Sequence, residues 1–278
     1  MAPEKIFHYT TPDGLIGIVS KNCLWATSVF YLNDSHEMIG GIQIARKQLE
    51  TLRINSADKD QANRIEWLLN DTRRVGTVQS MTAYVCSLSS KEDQLSQWRA
   101  YCRGGGFSIG FPADQLREAV AAQSFSLDEC VYSDAAQEKL MRETIDRVAV
   151  PWILGTRLPV SEDENRFKVS NKLTWELVRA ASRLKHQSFE EESEYRIVSM
   201  PERKYDPEKL HFRPRGGIII PYTTIDLPNT SDFWGRVSIV VGPTPHPNES
   251  KISVHDLVRR FRGHTVGIEI THTPFREW

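Results

Sequence analysis

Short runs with strand character are separated by helical stretches of very unequal length, and this irregularity constrains the fold more than any other feature. Ile6 to Tyr9 reads as a strand, and Thr11-Pro12 opens a helix, with Thr as cap and Pro at the first helical position. Leu24 to Phe30 is β-rich, and a long helix follows from Ser35 with apolar residues at Met38, Ile39, Ile42, Ala45, Leu49 and Leu52. A polar helix is expected over Asp58 to Leu69, strands over Met81 to Leu88 and Phe107 to Phe111, and a short helix over Asp93 to Tyr101. Asp114 to Leu184 reads as mostly helical apart from a strand at Glu129 to Tyr132, with Pro151 and Pro159 as breaks. Strands return at Tyr195 to Met200, Ile218 to Tyr222, Val237 to Val241 and Thr265 to Thr271, with a helix over Val254 to Phe261. Helices that cluster between strands, rather than alternating with them, predict an α+β fold with a mixed or antiparallel central sheet. The expected organisation is a single domain over 1–278, with a mostly helical insertion at about 114–185.

Of the 278 residues 40% are hydrophobic and 26% charged, which a globular chain needs and a disordered one lacks. The formal net charge of −1 gives no global positive field for nucleic acid or an anionic membrane, which leaves local sites open. Met1 to Lys5 is polar and has no apolar signal-peptide core, and the longest apolar run, Ile218-Ile219-Ile220, is too short to span a bilayer. A cytoplasmic location without membrane contact is expected. Cys23, Cys86, Cys102 and Cys130 are scattered without a C-x-x-C pair, so they read as buried free thiols. The eight histidines have no H-x-x-x-H spacing, and no metal site is expected.

Four segments contain candidate site residues. In strand geometry, Phe7 and Tyr9 face one side and His8 and Thr10 the other, so His8 and Thr10 are placed to hydrogen-bond a ribose or simply to satisfy a half-exposed strand. In Tyr31-Leu32-Asn33-Asp34-Ser35-His36-Glu37, Asp34 and Glu37 fit a capping box, while Asn33 suits a turn. The stretch Gln97 to Ser108 has Trp98 and Tyr101 on one helix face, Arg99 and Arg103 as phosphate donors, and Gly104-Gly105-Gly106 as a tight turn or phosphate cradle. Neither a P-loop Lys-Ser/Thr nor G-x-G-x-x-G is present. Glu190-Glu191-Glu192-Ser193-Glu194-Tyr195-Arg196 leads four glutamates into a strand that puts Glu192, Glu194 and Arg196 on one face. A carboxylate beside like charges is a place for a raised pKa or for catalysis, and Arg196 is the natural ion-pair partner.

Together, these segments, Val241-Gly242-Pro243 and Thr273-Pro274-Phe275-Arg276 follow the order of a bacterial family catalogued as a domain of unknown function (number 2971), which the chain resembles nearly end to end. More distantly it resembles ADP-ribosyltransferases of the His-Tyr-Glu type. That resemblance implies His8 on an NAD ribose, Tyr31, Trp98 or Tyr101 against the nicotinamide, and Glu194, with Glu192 behind it, opposite the charge that develops on the ribose. Tyr9, Thr10, Asn33, Arg99 and Arg196 would complete the nucleotide site.

Three functions follow as expectations. The first is an NAD-consuming transferase, with NAD as its substrate and a nucleic acid or protein as acceptor, acting as a toxin or phage-defence effector. The second is a non-enzymatic sensor or adaptor, in which the same motifs are caps, turns and an ion pair. The third is a nucleosidase using the carboxylates of Glu190 to Glu194. Whether His8 and Glu194 open into one cleft separates them.

Overall fold

The computed structural model describes residues 3–32, 35–72, 83–102, 104–155, 162–200 and 207–274. The first half contains strands β1 (Lys5–Thr10), β2 (Cys23–Ser28), β3 (Tyr84–Ser89), β4 (Phe107–Pro112) and β5 (Phe125–Glu129). Helices α1 (Pro12–Lys21), α2 (Ser35–Asn55), α3 (Lys59–Thr72), α4 (Leu95–Tyr101) and α5 (Ala113–Ala121) lie among them. A helical block follows, α6 (Asp134–Val148), α7 (Val150–Ile153) and α8 (Glu162–Ala181), and a 3-10 turn over Gln187–Glu192 leads into β6 (Glu194–Ser199). The chain then forms β7 (His211–Arg215), β8 (Ile218–Asp226), α9 (Ser231–Arg236), β9 (Ser238–Val241), α10 (Pro247–Arg262) and β10 (Gly267–Ile270).

The strands form one mixed sheet in the order β10-β9-β4-β1-β3-β2-β8-β7, with β6 joined to β3 and β5 joined to β6. Among the described strands only β9 and β10 pair in parallel. This is the expected α+β architecture. The path branches at β3. One edge of β3 pairs from Val85 to Ser89 with β6, while the other pairs with β2 at Tyr84 and Val85 and with β1 at Ser89.

Each face of the sheet carries its own core. On one face α1, α5, α9 and α10 bury Leu15, Val19, Leu116, Val120, Phe233, Trp234 and Val254 against Ile6, Leu24, Ile109 and Ile197. On the other, α2, α3, α6, α7 and α8 pack Met38, Leu49, Leu68, Ile145 and Leu177 against Val85 and Val198. A smaller cluster on that second face, Phe7, Tyr9, Trp98, Cys102 and Val240, lies under α4. Each such side chain stabilises the fold by roughly 1.5–3 kcal/mol. All four cysteines are free and buried, as expected. No helix among the described residues is long and apolar enough to cross a membrane.

Local chemistry accounts for the boundaries. The Thr11 hydroxyl accepts from the Gly14 amide at 3.3 Å, and Pro12 begins α1. The helix ends at Asn22 in left-handed conformation, φ 56°. The Asn22 amide side chain donates to the Leu227 carbonyl at 2.5 Å and accepts from the Trp234 indole at 3.1 Å, tying α1 to α9. The strand expected at Glu129 to Tyr132 lies four residues earlier, because Phe125 and Leu127 fill the core in alternation while Val131 makes a single bridge to Leu184. Strand β7 and helix α9 were not expected. The proposed capping pair, Asp34 with Glu37, lies outside the described residues and side chains, as do Asn33 and Arg103.

The triple glycine is a turn with a steric cause. Gly104 and Gly105 have φ of 76° and 113°. At Gly106 a Cβ would lie 2.6 Å from the Cys102 sulfur and 2.7 Å from the Thr10 carbonyl oxygen. A Gly106→Ala variant is therefore expected to lose about 1–3 kcal/mol, the usual cost of overpacking, seen as a lowered Tm; an unchanged melting curve would contradict this account of the turn.

Candidate functional site around His8 and Glu194

His8 sits where β1 and β2 part on the edge of β3. Between Val85, which pairs with Thr27, and Ser89, which pairs with Phe7, that edge of β3 has no strand partner among the described residues. The His8 ring fills the gap, its Nδ1 2.9 Å from the Ser87 carbonyl oxygen and 4.0 Å from the Cys86 sulfur. A carbonyl can only accept, so Nδ1 carries the proton. Burial pushes the His8 pKa below its usual value against the smaller opposing effect of the Ser87 bond, which keeps the ring neutral at pH 7. Nε2 is then an acceptor. Burial likewise lifts the Cys86 thiol to about 12, so it is not a thiolate.

Glu194 opens β6 and is 3% exposed. Its carboxylate accepts from Arg196 Nε at 2.7 Å and from Lys185 Nζ, and Lys185 also reaches Glu192 at 2.6 Å. Arg196 spends Nη1 on the Ser182 carbonyl at 2.6 Å, and the Glu194 amide donates to the Tyr132 hydroxyl oxygen at 2.7 Å. Two cations and two carboxylates thus neutralise one another beneath the 3-10 turn. The turn is held from the other side by Ser89, whose hydroxyl donates to the Glu192 carbonyl at 2.7 Å, and by Gln94, whose side chain donates to the Glu191 carbonyl at 2.5 Å. The sequence led to an expected raised carboxylate pKa. Instead, burial pushes the Glu194 pKa up, but Arg196 and Lys185 outweigh it and hold the group down at about 2. Lys185 is raised: Glu194 and Glu192 overcome the opposing effect of burial.

The register separates the two candidates. Directly opposed residues in an antiparallel pair share a face. Phe7 opposes Ser89, and Ser89 opposes Glu194, so Phe7, Ser89 and Glu194 lie on one face. His8 follows Phe7 and points to the other face. The expected alternation at Phe7 and His8 is therefore seen, and it carries His8 away from Glu194 rather than toward it.

The remaining candidates are placed individually. Tyr9 is buried, its hydroxyl donating to the Lys91 carbonyl at 2.9 Å and accepting from the Gln94 amide at 3.0 Å. Trp98 is fully buried and meets the Tyr9 ring edge-on at 4.7 Å between centroids, which makes it core. Tyr101 and Arg99, on the same short helix, are exposed, and Tyr31 is half-buried in the 3-10 turn Val29–Tyr31. Thr10 is half-buried, and its carbonyl accepts from the Cys102 thiol at 3.5 Å. Among the described residues no group of His, Cys, Asp or Glu is arranged to hold a metal ion.

Sequence reasoning missed two groups. Lys185 lies outside the strand spacing that suggested the Glu194–Arg196 pair. Asp93, read only as a helix start, accepts from Trp98 Nε1 at 2.6 Å, the Thr271 hydroxyl at 2.6 Å, the His272 amide at 2.9 Å and the Thr273 hydroxyl at 3.0 Å. Partial burial raises its pKa, but these four bonds outweigh it and leave the carboxyl below its ordinary range.

Removing one member of a buried ion pair strands the other. Glu194→Gln is expected to cost about 3–5 kcal/mol, read as a large fall in Tm at pH 7. A depressed carboxylate pKa contributes stability fully above the usual 4.5 and loses it as pH falls toward about 2. The Tm gap between wild type and Glu194→Gln should therefore narrow across that window; a gap independent of pH would refute the ion-pair account. Asp93→Asn should cost about 1–3 kcal/mol through donors left unsatisfied and speed amide exchange at residues 271–273, which exchange measurements on the variant can check.

Among curated proteins nothing matches, and no solved structure matches. The matching segment takes in most of α4, the glycine turn, Glu194 and Arg196, but not β1 with His8. Residues 97–197 match the model of the family described as "Protein of unknown function (DUF2971)".

Proposed function

We propose that the chain is a non-enzymatic recognition module, a sensor or adaptor, in which Glu194 holds the fold together. The observation that carries this reading is the position of Glu194: 3% exposed, paired with Arg196 and Lys185, and on the sheet face opposite His8. A carboxylate that stabilises developing positive charge has to be within reach of that charge and not already neutralised. A nucleosidase would draw on the same glutamates, of which Glu192 is tied to Lys185.

A second reading, an NAD-consuming transferase with a nucleic acid or protein acceptor, draws support from His8. Its neutral ring, with an Nε2 acceptor at the parting of two strands, suits a ribose hydroxyl. That reading requires a catalytic group other than Glu194 in its present position.

The test is nicotinamide release from NAD, followed chromatographically with wild-type protein and Glu194→Gln. The recognition reading expects no release above background from either. Turnover by wild type that disappears in Glu194→Gln, at a temperature where both are folded, would overturn it in favour of the transferase.

A further inference from the structure

The strands at the far end of the sheet carry a ladder of rings that no core accounts for. Leu24, Ala26 and Ile225 turn one face of β2 and β8 into the core under α1 and α5. Pairing of Thr27 with Tyr222, and of Trp25 with Thr224, places Trp25, Thr27 and Tyr222 together on the opposite face. Tyr222 also opposes His211 on β7. The rings form a tilted stack across three strands, with Trp25 and Tyr222 centroids 4.5 Å apart and His211 and Tyr222 centroids 5.3 Å apart. Trp25 is 37% exposed, Tyr222 half-exposed and His211 exposed.

Positive charge accompanies the rings. The Arg213 guanidinium lies 5.6 Å from the Trp25 ring centroid and donates to the Thr27 hydroxyl at 3.0 Å. Its Nε is buried without a hydrogen-bond partner among the described residues. Arg215 shares its face, two residues along β7. Burial first, and the Arg215 charge after it, push the Arg213 pKa below its usual value. Among the described residues neither forms an ion pair with a carboxylate. A ladder serving only to join strands would not need two guanidinium groups beside it. In a chain of net charge −1, such a local surplus marks a site for an anion.

We infer that this face of β2, β8 and β7 binds single-stranded nucleic acid, unpaired bases extending the ring stack and phosphates meeting Arg213 and Arg215. The rings select single strands because the bases of a duplex are already stacked on one another. Adjacent phosphates in a strand match two arginines spaced along one β-strand better than one mononucleotide does. This names a ligand for the recognition reading and rests on it only in that respect: NAD turnover would sink that reading without touching this site, and a failure to bind strands would leave another partner open to the module.

Fluorescence anisotropy with labelled twenty-nucleotide oligo-dT and oligo-U, at low and physiological salt, tests the proposal. Expected are binding that weakens with salt, a tenfold or greater loss of affinity in Trp25→Ala, its substantial recovery in Trp25→Phe, and a severalfold loss in Arg215→Gln and His211→Ala. The last two change exposed side chains, so they carry the test if Trp25→Ala fails to fold. Absence of binding by wild type at low salt overturns the inference. So does affinity unchanged in Arg215→Gln and His211→Ala, or competition by a duplex or by AMP as effective as by the unlabelled strand.

Discussion

Two strands cannot occupy the same stretch of one sheet edge, and the arrangement of this protein follows from how β3 resolves that conflict. Its far edge is paired with β6 from Val85 to Ser89. Its near edge is shared, β2 taking one end and β1 the other, which leaves the Ser87 carbonyl without a backbone donor among the described residues. An unpaired buried carbonyl is costly. The His8 ring supplies the missing donor, so a side chain completes a ladder that the backbone leaves open. The divergence of β1 and β2 also sends β4, β9 and β10 to one side and β8 and β7 to the other, so the two ends of the sheet carry different chemistry.

The second organising device is ionic. Lys185, Glu192, Glu194 and Arg196 join the end of the helical block to the start of β6, and each is mostly or fully removed from water. Burying charge is tolerable there because the signs balance and the remaining donors find carbonyls. Such a cluster favours one arrangement of chain over others, since any register slip of β6 would separate the partners. An acid held at about 2 and already saturated with donors has little capacity to exchange protons during a reaction at neutral pH.

Much of the fold is legible from local pattern. The alternation at Phe7-His8-Tyr9, the Thr11-Pro12 helix start, most of the apolar faces of α1 and α2 and the strands near Val241 depend on neighbours within a few residues and lie close to where pattern puts them, although Ile39 and Leu52, expected on the apolar face of α2, are exposed. The Glu194–Arg196 pair could also be read, because a spacing of two in a strand puts side chains on one face. What could not be read depends on strand pairing over long separations. That Phe7 opposes Ser89, and Ser89 opposes Glu194, is a property of register, and it is register that puts His8 and Glu194 back to back. Strand β7 escaped notice because His211 to Arg215 is polar, mostly exposed and interrupted by Pro214, the composition of an edge strand rather than a core one.

The four hydrogen bonds on Asp93 have a consequence for synthesis. When α4 leaves the ribosome, the Trp98 indole is the one of these four donors already made, and the other three, Thr271, His272 and Thr273, follow some 178 to 180 residues later. The cluster of Phe7, Tyr9, Trp98 and Cys102 can gather early, while the acid at its rim keeps water in place of these three donors until translation passes residue 273. The α4 side of the sheet therefore exchanges water for its Asp93 bonds only once residues 271–273 have been made.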